Sequence, residues 1–263
     1  MGRRFHKMHG LGNDFVLFDA RADPLALSGE QVRQIADRRA GVGCDQLIVL
    51  EPSTKADLRM RIFNADGGEV EACGNAARCV TMLIGGTLRI ETLGGIIEGA
   101  STYEGVTVDL GRPRFAPEEI PVLYPMDTRD MPVGWEGLNG PFAVNVGNPH
   151  LVFFVPDESE VELGRIGPLI ECDPLFPQGV NVNVATVAGG GVRLRTWERG
   201  AGLTPACGTG ACATAVAAIS RRLLTSPVEV RQTGGALSVH WAPGQSVRMT
   251  GPAAHVFTGE LPL

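Results

Sequence analysis

The sequence of this 263-residue chain repeats itself at an interval of about half its length. When the chain is shifted by about 134 positions, LRMRIFNADGGEVEACGNAA, from Leu58, aligns with VRLRTWERGAGLTPACGTGA, from Val192. At nearly the same shift LGNDFVLF, from Leu11, aligns with VGNPHLVF, from Val146. Solenoid and propeller repeats have periods of about 20 to 50 residues, so this interval predicts a duplicated domain instead. We therefore expect two related domains, residues 1–120 and 121–263, divided near a segment rich in proline and glycine.

Each half is predicted to be a sheet wrapped around one helix. Short alternating or apolar runs bounded by Gly, Asp or Asn dominate both halves, among them FVLFDA, QLIVLE, HLVFFV and VNVNVATV. Two segments differ, GNAARCVTMLIGG and GTGACATAVAAISRRLL, because small and apolar residues cover most of their helical faces, as in a buried helix. The predicted fold class is α+β, with two pseudo-symmetric duplicated domains, each a curved, mostly antiparallel sheet or barrel around a central helix. A further helix is predicted from the Ser28 N-cap, with Gln31 completing a capping box, to Gly41.

Composition and charge exclude several classes of protein. The net charge is −6 and the Lys and Arg residues are scattered, so no nucleic-acid or membrane partner is expected. No apolar run approaches the roughly 18 residues of a membrane span, and no signal-peptide pattern follows the N-terminus, so we expect a cytoplasmic protein with reduced thiols. The six cysteines form no C-x-x-C pair and lie apart in sequence from the histidines, so no metal site is expected.

Two of the cysteines, Cys73 and Cys207, occupy the same place in the repeat. Each directly precedes a glycine, Gly74 or Gly208, at the predicted start of a central helix. The first turn of a helix binds anions and lowers the pKa of a thiol, and glycine lets a ligand approach the backbone closely. If the domains face each other about a pseudo-twofold axis, the two sulfurs would flank the α-carbon of a bound carboxylate. One thiolate would remove the α-hydrogen while the opposite thiol protonates the other face, which inverts the configuration.

Other polar residues in or beside the matched blocks are candidate ligands for such a substrate. No glycine-rich cofactor loop in a strand–loop–helix context is present, so we expect no cofactor. A carboxylate next to a guanidinium, at Glu198 and Arg199, suits a zwitterionic amino-acid group. His150 follows Asn148-Pro149 and could face the cleft. The short polar candidates are Asn13, Gln46, Asn64, Asn75, Asn148, Asn181 and Thr209.

Simpler structural roles are predicted for the remaining candidates. Cys44, Cys79, Cys172 and Cys212 are expected to be packed core thiols, since a buried cysteine behaves as a small hydrophobe. Asn183 and Asn139 are interpreted as turn formers.

Six blocks together resemble the diaminopimelate epimerase family: MHGLGNDFV, GCDQLIVL, FNADGGEVEACGNAARC, VGNPHLVFF, GVNVNV and WERGAGLTPACGTGACA. The resemblance implies a cofactor-independent epimerase that interconverts LL- and meso-2,6-diaminopimelate on the route to lysine and peptidoglycan precursors. It also implies a homodimer, a small diamino diacid as the partner, and a cleft that closes on it. The chain departs from the family pattern at Ala76, Leu203 and Trp197, where glycine, an acidic residue and tyrosine or phenylalanine are usual.

The resemblance also implies a role for each matched site residue. Cys73 and Cys207 would form the acid–base pair, and His150 and Glu198 would aid proton transfer. The reacting carboxylate would be held by Gly74, Asn75, Gly208 and Thr209. The rest of the substrate would be bound by Asn13, Gln46, Asn64, Asn148, Asn181, Glu198 and Arg199.

Two other classes of function remain open from the residues alone. In a thiol hydrolase or transferase, one cysteine would be the nucleophile with His150 as its base, which leaves the duplicate cysteine unexplained. A non-catalytic binding protein derived from a decayed duplicate would tolerate the loss of either cysteine, whereas this chain keeps both. Solvent deuterium distinguishes these classes, because only an epimerase should label the α-carbon of an amino-acid diacid incubated with it in heavy water.

Overall fold

The structure is a computed structural model that describes residues 2–71, 73–102 and 105–263. The strands are β1 Arg3–Gly10, β2 Asn13–Asp19, β3 Gln46–Glu51, β4 Leu58–Asn64, β5 Glu69–Val70, β6 Thr87–Thr92, β7 Gly95–Thr102, β8 Gly105–Asp109, β9 Gly134–Trp135, β10 Leu138–Asn139, β11 Phe142–Asn145, β12 Pro149–Phe154, β13 Asn181–Ala188, β14 Gly191–Glu198, β15 Gly202–Thr204, β16 Val228–Gln232, β17 Gly235–His240, β18 Arg248–Gly251 and β19 Ala254–Leu261. The helices are α1 Gly29–Ala36, α2 Gly74–Ile84, α3 Leu163–Glu171 and α4 Gly208–Ser220, with short 3-10 turns at Pro117–Glu119 and Glu158–Glu160.

The chain divides into two compact units, Met1–Val108 with Gly251–Leu263, and Asp109–Thr250. These units differ from the predicted ranges 1–120 and 121–263 at both ends. The C-terminal strand β19 groups with the first unit because it pairs antiparallel with β1 along almost its whole length. The units group residues by compactness and not by copy of the repeat. The division of the two copies at residue 120 therefore stays a prediction.

Both units pair their strands in the same order, as a duplication requires. In the first unit β1 is antiparallel to β2, β2 is parallel to β3, β3 is antiparallel to β4, and β4 is parallel to β6. In the second unit β11 to β14 and β16 repeat this sequence of antiparallel and parallel pairings. An antiparallel hairpin follows in each unit, β6 with β7 and β16 with β17. The mostly antiparallel, duplicated α+β fold is therefore confirmed.

The central helices follow the two repeated cysteines. Every residue of α4 from Gly208 to Ala218 is buried, and the helix contacts strands β11 to β14, β16 and β17 of its own unit. In the first unit α2 is buried from Gly74 to Thr81 and contacts β1, β6, β7 and β19. Small side chains make this possible, since a helix enclosed by strands has room for little else.

Helix α1 connects the parallel strands β2 and β3, and helix α3 connects the equivalent parallel strands β12 and β13. The predicted capping box of α1 is present, with the Ser28 and Gln31 side chains each accepting from the other's backbone N–H. The predicted end at Gly41 is wrong. The helix ends at Ala36, and the Asp37 carboxylate accepts hydrogen bonds from the next turn. The sequence analysis did not identify α3, because Pro168 and two glycines interrupt a sequence whose apolar residues have helical spacing.

Each sheet buries its own apolar core between strands and the outer helix. In the first unit α1 packs on a core that includes Val16, Phe18, Val32, Leu47 and Phe63. In the second unit α3 packs on a core that includes Leu151, Phe153, Ile166, Ile170 and Val182. Among the described residues, no helix is long and apolar enough to cross a membrane.

Candidate active site

In the first unit Cys73 is the N-cap residue of α2. Its backbone is extended and its side chain makes no capping hydrogen bond with the helix. The half-buried thiol lies instead against Asn13, with Sγ 3.8 Å from the amide oxygen Oδ1. Gly74 and Asn75 form the first turn of this helix. The structure therefore brings Cys73, Asn13 and Asn75 together as predicted.

A chain of side-chain hydrogen bonds fixes the orientation of the two amides beside Cys73. Arg78, fully buried on α2, donates from Nη2 to Asn75 Oδ1 at 2.8 Å. Asn75 then donates from Nδ2 to Asn13 Oδ1 at 3.2 Å, and Asn13 donates from Nδ2 to Asp45 at 3.1 Å. A guanidinium only donates and a carboxylate only accepts, so neither amide can be reversed. Sequence reasoning missed Arg78 and Asp45, whose only signal is their place within the blocks that resemble the family.

Gln46 and Asn64 are partners across neighbouring strands. They face each other in the register of β3 and β4, and Gln46 donates from Nε2 to Asn64 Oδ1 at 2.9 Å. Within the described residues, Gln46 Oε1 is buried without a hydrogen-bond partner. A buried acceptor of this kind costs free energy unless a donor reaches it, and the ammonium group of a ligand would be such a donor.

In the second unit Cys207 is the N-cap residue of α4 and is 2% exposed. Its sulfur accepts a hydrogen bond from the backbone N–H of Gly210 at 3.3 Å and lies 3.5 Å from Thr209 Oγ1. Its own N–H donates to Gln232 Oε1 at 2.7 Å. Cys207 thus occupies the position of Cys73, but its sulfur is more deeply enclosed.

The expectation that a helix N-terminus lowers the thiol pKa is wrong for Cys207. Burial, together with the negative charge of Glu198, raises the pKa of this thiol well above its usual value, despite the hydrogen bonds from Thr209 and Gly210. The desolvation of a buried thiolate outweighs the helix dipole, whose effect is small by comparison. Cys207 is therefore protonated at neutral pH.

His150 is completely buried, and both ring nitrogens are hydrogen-bonded. Nε2 lies 2.8 Å from Asn148 Oδ1, and Nδ1 lies 3.1 Å from Asn183 Nδ2. Burial, with the positive charge of Arg199, lowers the pKa of His150 to about 3, so the ring is neutral at physiological pH. The interpretation of Asn183 as a turn former is wrong. It is fully buried within β13, and its alternation with Asn181 along the strand was the signal that both face one side.

Arg199 and Glu198 lie where β14 ends. Arg199 donates from its backbone N–H to Asn181 Oδ1 at 3.0 Å and from Nη1 to the Gln178 carbonyl at 2.9 Å. Glu198 accepts from the Thr204 hydroxyl. The turn is also held by Glu171 at the end of α3, which accepts from the Trp197 indole N–H at 2.6 Å and from the Gly200 N–H at 2.8 Å.

The other four cysteines and the residues that depart from the family pattern contribute mainly to the fold. Cys44, Cys79 and Cys212 are buried as predicted, and burial raises the pKa of Cys44 to about 11. The prediction for Cys172 is wrong, because it is exposed just beyond the end of α3. Ala76 is buried in α2 and Leu203 is half exposed on β15. Among the described residues, no group of three or more His, Cys, Asp or Glu could hold a metal ion.

Each unit therefore carries a thiol at a helix N-terminus with fixed amides or a carboxylate beside it. A helix N-terminus with glycine in the first turn binds a carboxylate. A thiol next to it is placed to exchange a proton with the carbon that bears that carboxylate. His150 is neutral and both of its ring nitrogens are hydrogen-bonded, so the sulfurs are the groups placed to exchange a proton.

Comparisons with known proteins agree on the family. The diaminopimelate epimerase family model matches residues 5–116 and 142–256, one stretch in each half. A diaminopimelate epimerase from Rhizorhabdus wittichii is 63% identical over 262 residues, which cover 99% of this chain and 96% of that protein. One from Sphingopyxis alaskensis is 60% identical over 261 residues, covering 99% and 97%.

Solved structures share the fold at low sequence identity. A phenazine biosynthesis protein from Enterococcus faecalis has a TM-score of 0.72 at 16% identity, with both chains covered completely. A hydroxyproline epimerase from Agrobacterium vitis has a TM-score of 0.69 at 16% identity, covering 98% of this chain and 92% of the other. From the family model and the relatives of 60% identity or more, the chain belongs to the diaminopimelate epimerase family.

Proposed function

We propose that this protein is a diaminopimelate epimerase, which interconverts LL- and meso-2,6-diaminopimelate without a cofactor and so feeds lysine and peptidoglycan-precursor synthesis. One observation carries the proposal. Cys73 and Cys207 are N-cap residues of equivalent buried helices in the two copies of a duplicated fold, and each precedes a glycine. A reaction that needs one acid–base group on each face of a carbon uses both copies, and its forward and reverse directions exchange their roles.

In the proposed reaction one sulfur, as thiolate, takes the α-hydrogen, and the C–H bond becomes an S–H bond. The other sulfur, as thiol, gives its hydrogen to the opposite face of the same carbon. No electron acceptor or co-reactant is consumed. Cys207 enters the reaction protonated because burial and Glu198 raise its pKa, so it starts as the acid. In the reverse direction Cys207, left as the thiolate, takes the α-hydrogen, and Cys73, left as the thiol, gives its hydrogen to the opposite face.

The remaining site residues are proposed to hold the substrate. The first turns of α2 and α4, with Gly74, Asn75, Gly208 and Thr209, would bind the reacting carboxylate and stabilise the charge that develops on it. The amides of Asn13, Asn64, Asn148 and Asn181 and the unpaired Gln46 Oε1 would bind the amino groups and the distal carboxylate. Arg199 would be the distal anchor, because a fixed guanidinium pairs bidentately with a carboxylate. For His150 a part in proton transfer stays a prediction, and its neutral ring favours a role in orientation.

Substrate choice tests the proposal. Purified protein without added cofactor should epimerise LL-diaminopimelate and hardly touch L-lysine, which lacks the second carboxylate. Arg199→Lys should lower kcat/KM for diaminopimelate by roughly 10- to 150-fold, because a charge-assisted bidentate pair is lost. The exposed Arg89→Lys is the matched control and should behave like the native protein. If the native protein epimerises lysine as well as diaminopimelate, or if Arg199→Lys has no effect, the substrate assignment is wrong.

We also propose that the protein is a cytoplasmic homodimer, as the resemblance implies. Reduced thiols are required by the mechanism and are maintained in the cytoplasm. Val256 and Phe257 on β19 are about half exposed, which supports a contact with a second copy. Sedimentation velocity measures the oligomeric state directly.

A further inference from the structure

Four side chains of the second unit form a hydrogen-bonded chain that ends at Asn148. The Thr196 hydroxyl donates to Asn183 Oδ1 at 3.0 Å. Asn183 Nδ2 lies 3.1 Å from His150 Nδ1, and His150 Nε2 lies 2.8 Å from Asn148 Oδ1. Thr196, Asn183 and His150 are buried, whereas Asn148 is partly exposed. The chain therefore runs from the interior to a residue that a ligand can reach.

The direction of every hydrogen bond in this chain is determined by one backbone carbonyl. Asn183 Nδ2 lies 2.8 Å from the carbonyl oxygen of Leu151, which can only accept, so this atom is the amide nitrogen. The same nitrogen can only donate to His150 Nδ1, which must therefore carry no hydrogen. In a neutral imidazole the hydrogen then lies on Nε2, which donates to Asn148 Oδ1.

The tautomer of His150 determines which polar group Asn148 presents at the exposed end of these hydrogen-bonded side chains. Because Asn148 accepts with its oxygen, its Nδ2 group is left as the donor. With the opposite His150 tautomer, Nε2 would be an acceptor, and the Asn148 amide would reverse to present its oxygen. A carboxylate of a ligand binds to a donor and is repelled by an amide oxygen, so the tautomer decides what Asn148 can bind.

The same amide is packed against the start of α4. A Cβ atom added at Gly210 would lie 2.6 Å from Asn183 Oδ1 and 3.0 Å from Thr196 Oγ1. Gly210 is the residue whose N–H donates to the sulfur of Cys207. Asn183 therefore lies between His150 and α4, the helix that begins after Cys207, and its amide has little freedom to reorient.

We propose that Asn183 is a positioning residue that sets the tautomer of His150 and thereby presents the amide nitrogen of Asn148 to a carboxylate of the substrate. The identity of that carboxylate rests on the function proposed above, whereas the tautomer does not depend on it. His150 acts in this account through Asn148 and stays neutral throughout. The role differs from that of a proton carrier, which needs a ring that gains and loses a proton.

Histidine nitrogen NMR tests the proposal on the full chain. The protein has only five histidines, so selective ¹⁵N labelling and a His150→Gln spectrum assign the signal. In the native protein His150 should show a hydrogen on Nε2 and none on Nδ1, without titrating between pH 5.5 and 8. A hydrogen on Nδ1 in the native protein overturns the proposal, even if the protein proves to be an epimerase.

Two Asn→Asp variants separate the tautomer from the donor. In Asn183→Asp the new carboxylate can only accept, so the hydrogen should move to Nδ1, and KM for diaminopimelate should rise roughly 10- to 100-fold with a smaller change in kcat. In Asn148→Asp the tautomer should stay native because the carboxylate still accepts from Nε2, while KM rises comparably. If Asn183→Asp leaves both the Nδ1 signal and KM unchanged, the proposal is wrong.

Conservative variants control for a general loss of structure. Thr186 lies on β13, the strand that carries Asn183, and its buried hydroxyl forms hydrogen bonds with other partners. Thr186→Val should therefore leave the His150 signals and KM as in the native protein. Thr196→Ser should keep the native tautomer, whereas Thr196→Val should raise KM, because only serine retains the donor to Asn183. Equal effects of Thr186→Val and Thr196→Val would show a merely structural role and contradict the proposal.

Discussion

Cys73 and Cys207 occupy the same position of equivalent helices, yet their sulfurs have different surroundings. Cys73 is partly exposed and lies against an amide oxygen, whereas Cys207 is buried beside the Glu198 carboxylate. A helix N-terminus alone does not set the pKa of a thiol, because burial opposes the thiolate more strongly. The two thiols therefore differ in exposure and in the polar groups beside them.

At the residue scale, the buried neutral His150 makes stability depend on pH. Its pKa is about 3 in the folded protein, against 6.5 as the ordinary value, so below pH 6.5 the unfolded chain binds a proton that the folded protein does not. The contribution is complete above pH 6.5 and is lost as the pH falls toward 3. Between pH 7 and 5 we expect a loss of about 2 kcal/mol in the free energy of unfolding from this group.

Urea unfolding of the native protein and of His150→Asn at both pH values measures this contribution. The variant is less stable at pH 7 but should lack those 2 kcal/mol of pH dependence, since asparagine does not titrate. The exposed His240→Asn is the control and should follow the native curve. The same pH dependence in the native protein and His150→Asn would mean that His150 is not held neutral.

At this scale the sequence predicted where the candidate residues lie better than how deeply they are buried and what they contact. The helix-start position of both cysteines and most amide candidates follow from short motifs. Arg78, Asp45 and Asn183 were missed, because their importance comes from contacts between segments far apart in the chain. Burial of His150 and Cys207 is likewise a property of tertiary packing, which local patterns do not report.

At the scale of elements, α3 supports the turn that carries Glu198 and Arg199. The Trp197 ring packs on Gly167 so closely that an added Cβ would lie 2.5 Å from the indole Cγ. Trp197 also donates to Glu171 at the end of the same helix. The glycine that weakens α3 as a sequence signal is thus required by its packing, which explains why helix propensity failed here.

Gly167→Ala should therefore lower both stability and activity. We expect a loss of about 1–3 kcal/mol in the free energy of unfolding, because the indole cannot move without breaking its bond to Glu171. The value of kcat/KM should fall with it, since the displaced ring precedes Glu198 directly.

Gly164→Ala on the same helix is the matched control. A Cβ there would lie 3.3 Å from the end of the half-exposed Leu203 side chain, which can move. Alanine also favours the helix, so this variant should be as stable as the native protein or more so. Thermal unfolding and steady-state kinetics compare the two. Equal stability of both variants would show that the Trp197 packing is not tight.

At the scale of the whole molecule, the duplication accounts for most of what the sequence could predict. Two copies with the same order of strand pairings, each with a buried helix after a cysteine, follow from the matched blocks. The pairing of the C-terminal strand β19 with β1 could not be predicted, because it joins the two ends of the chain without a local pattern. The repeat thus predicts the architecture of each copy but not where the last strand pairs.

We propose that two thiols, one from each copy, act on opposite faces of one carbon. Cys73→Ser and Cys207→Ser should each lower the rate in both directions by at least about 100-fold, as expected for a lost acid or base. The exposed Cys172→Ser is the control and should keep the native rate. Retention of near-native turnover by either active-site variant would leave one thiol without a role.

Deuterium at the inverted carbon tests this claim most directly. The native enzyme is incubated with LL-diaminopimelate in heavy water, and product and remaining substrate are separated at low conversion and examined by mass spectrometry and NMR. Because the thiol that donates is not the one that abstracts, the meso product should carry one deuterium at the inverted carbon while the remaining LL substrate carries almost none. A product that keeps the original hydrogen, or equal labelling of product and substrate, would show that a single group acts on both faces and would contradict the account.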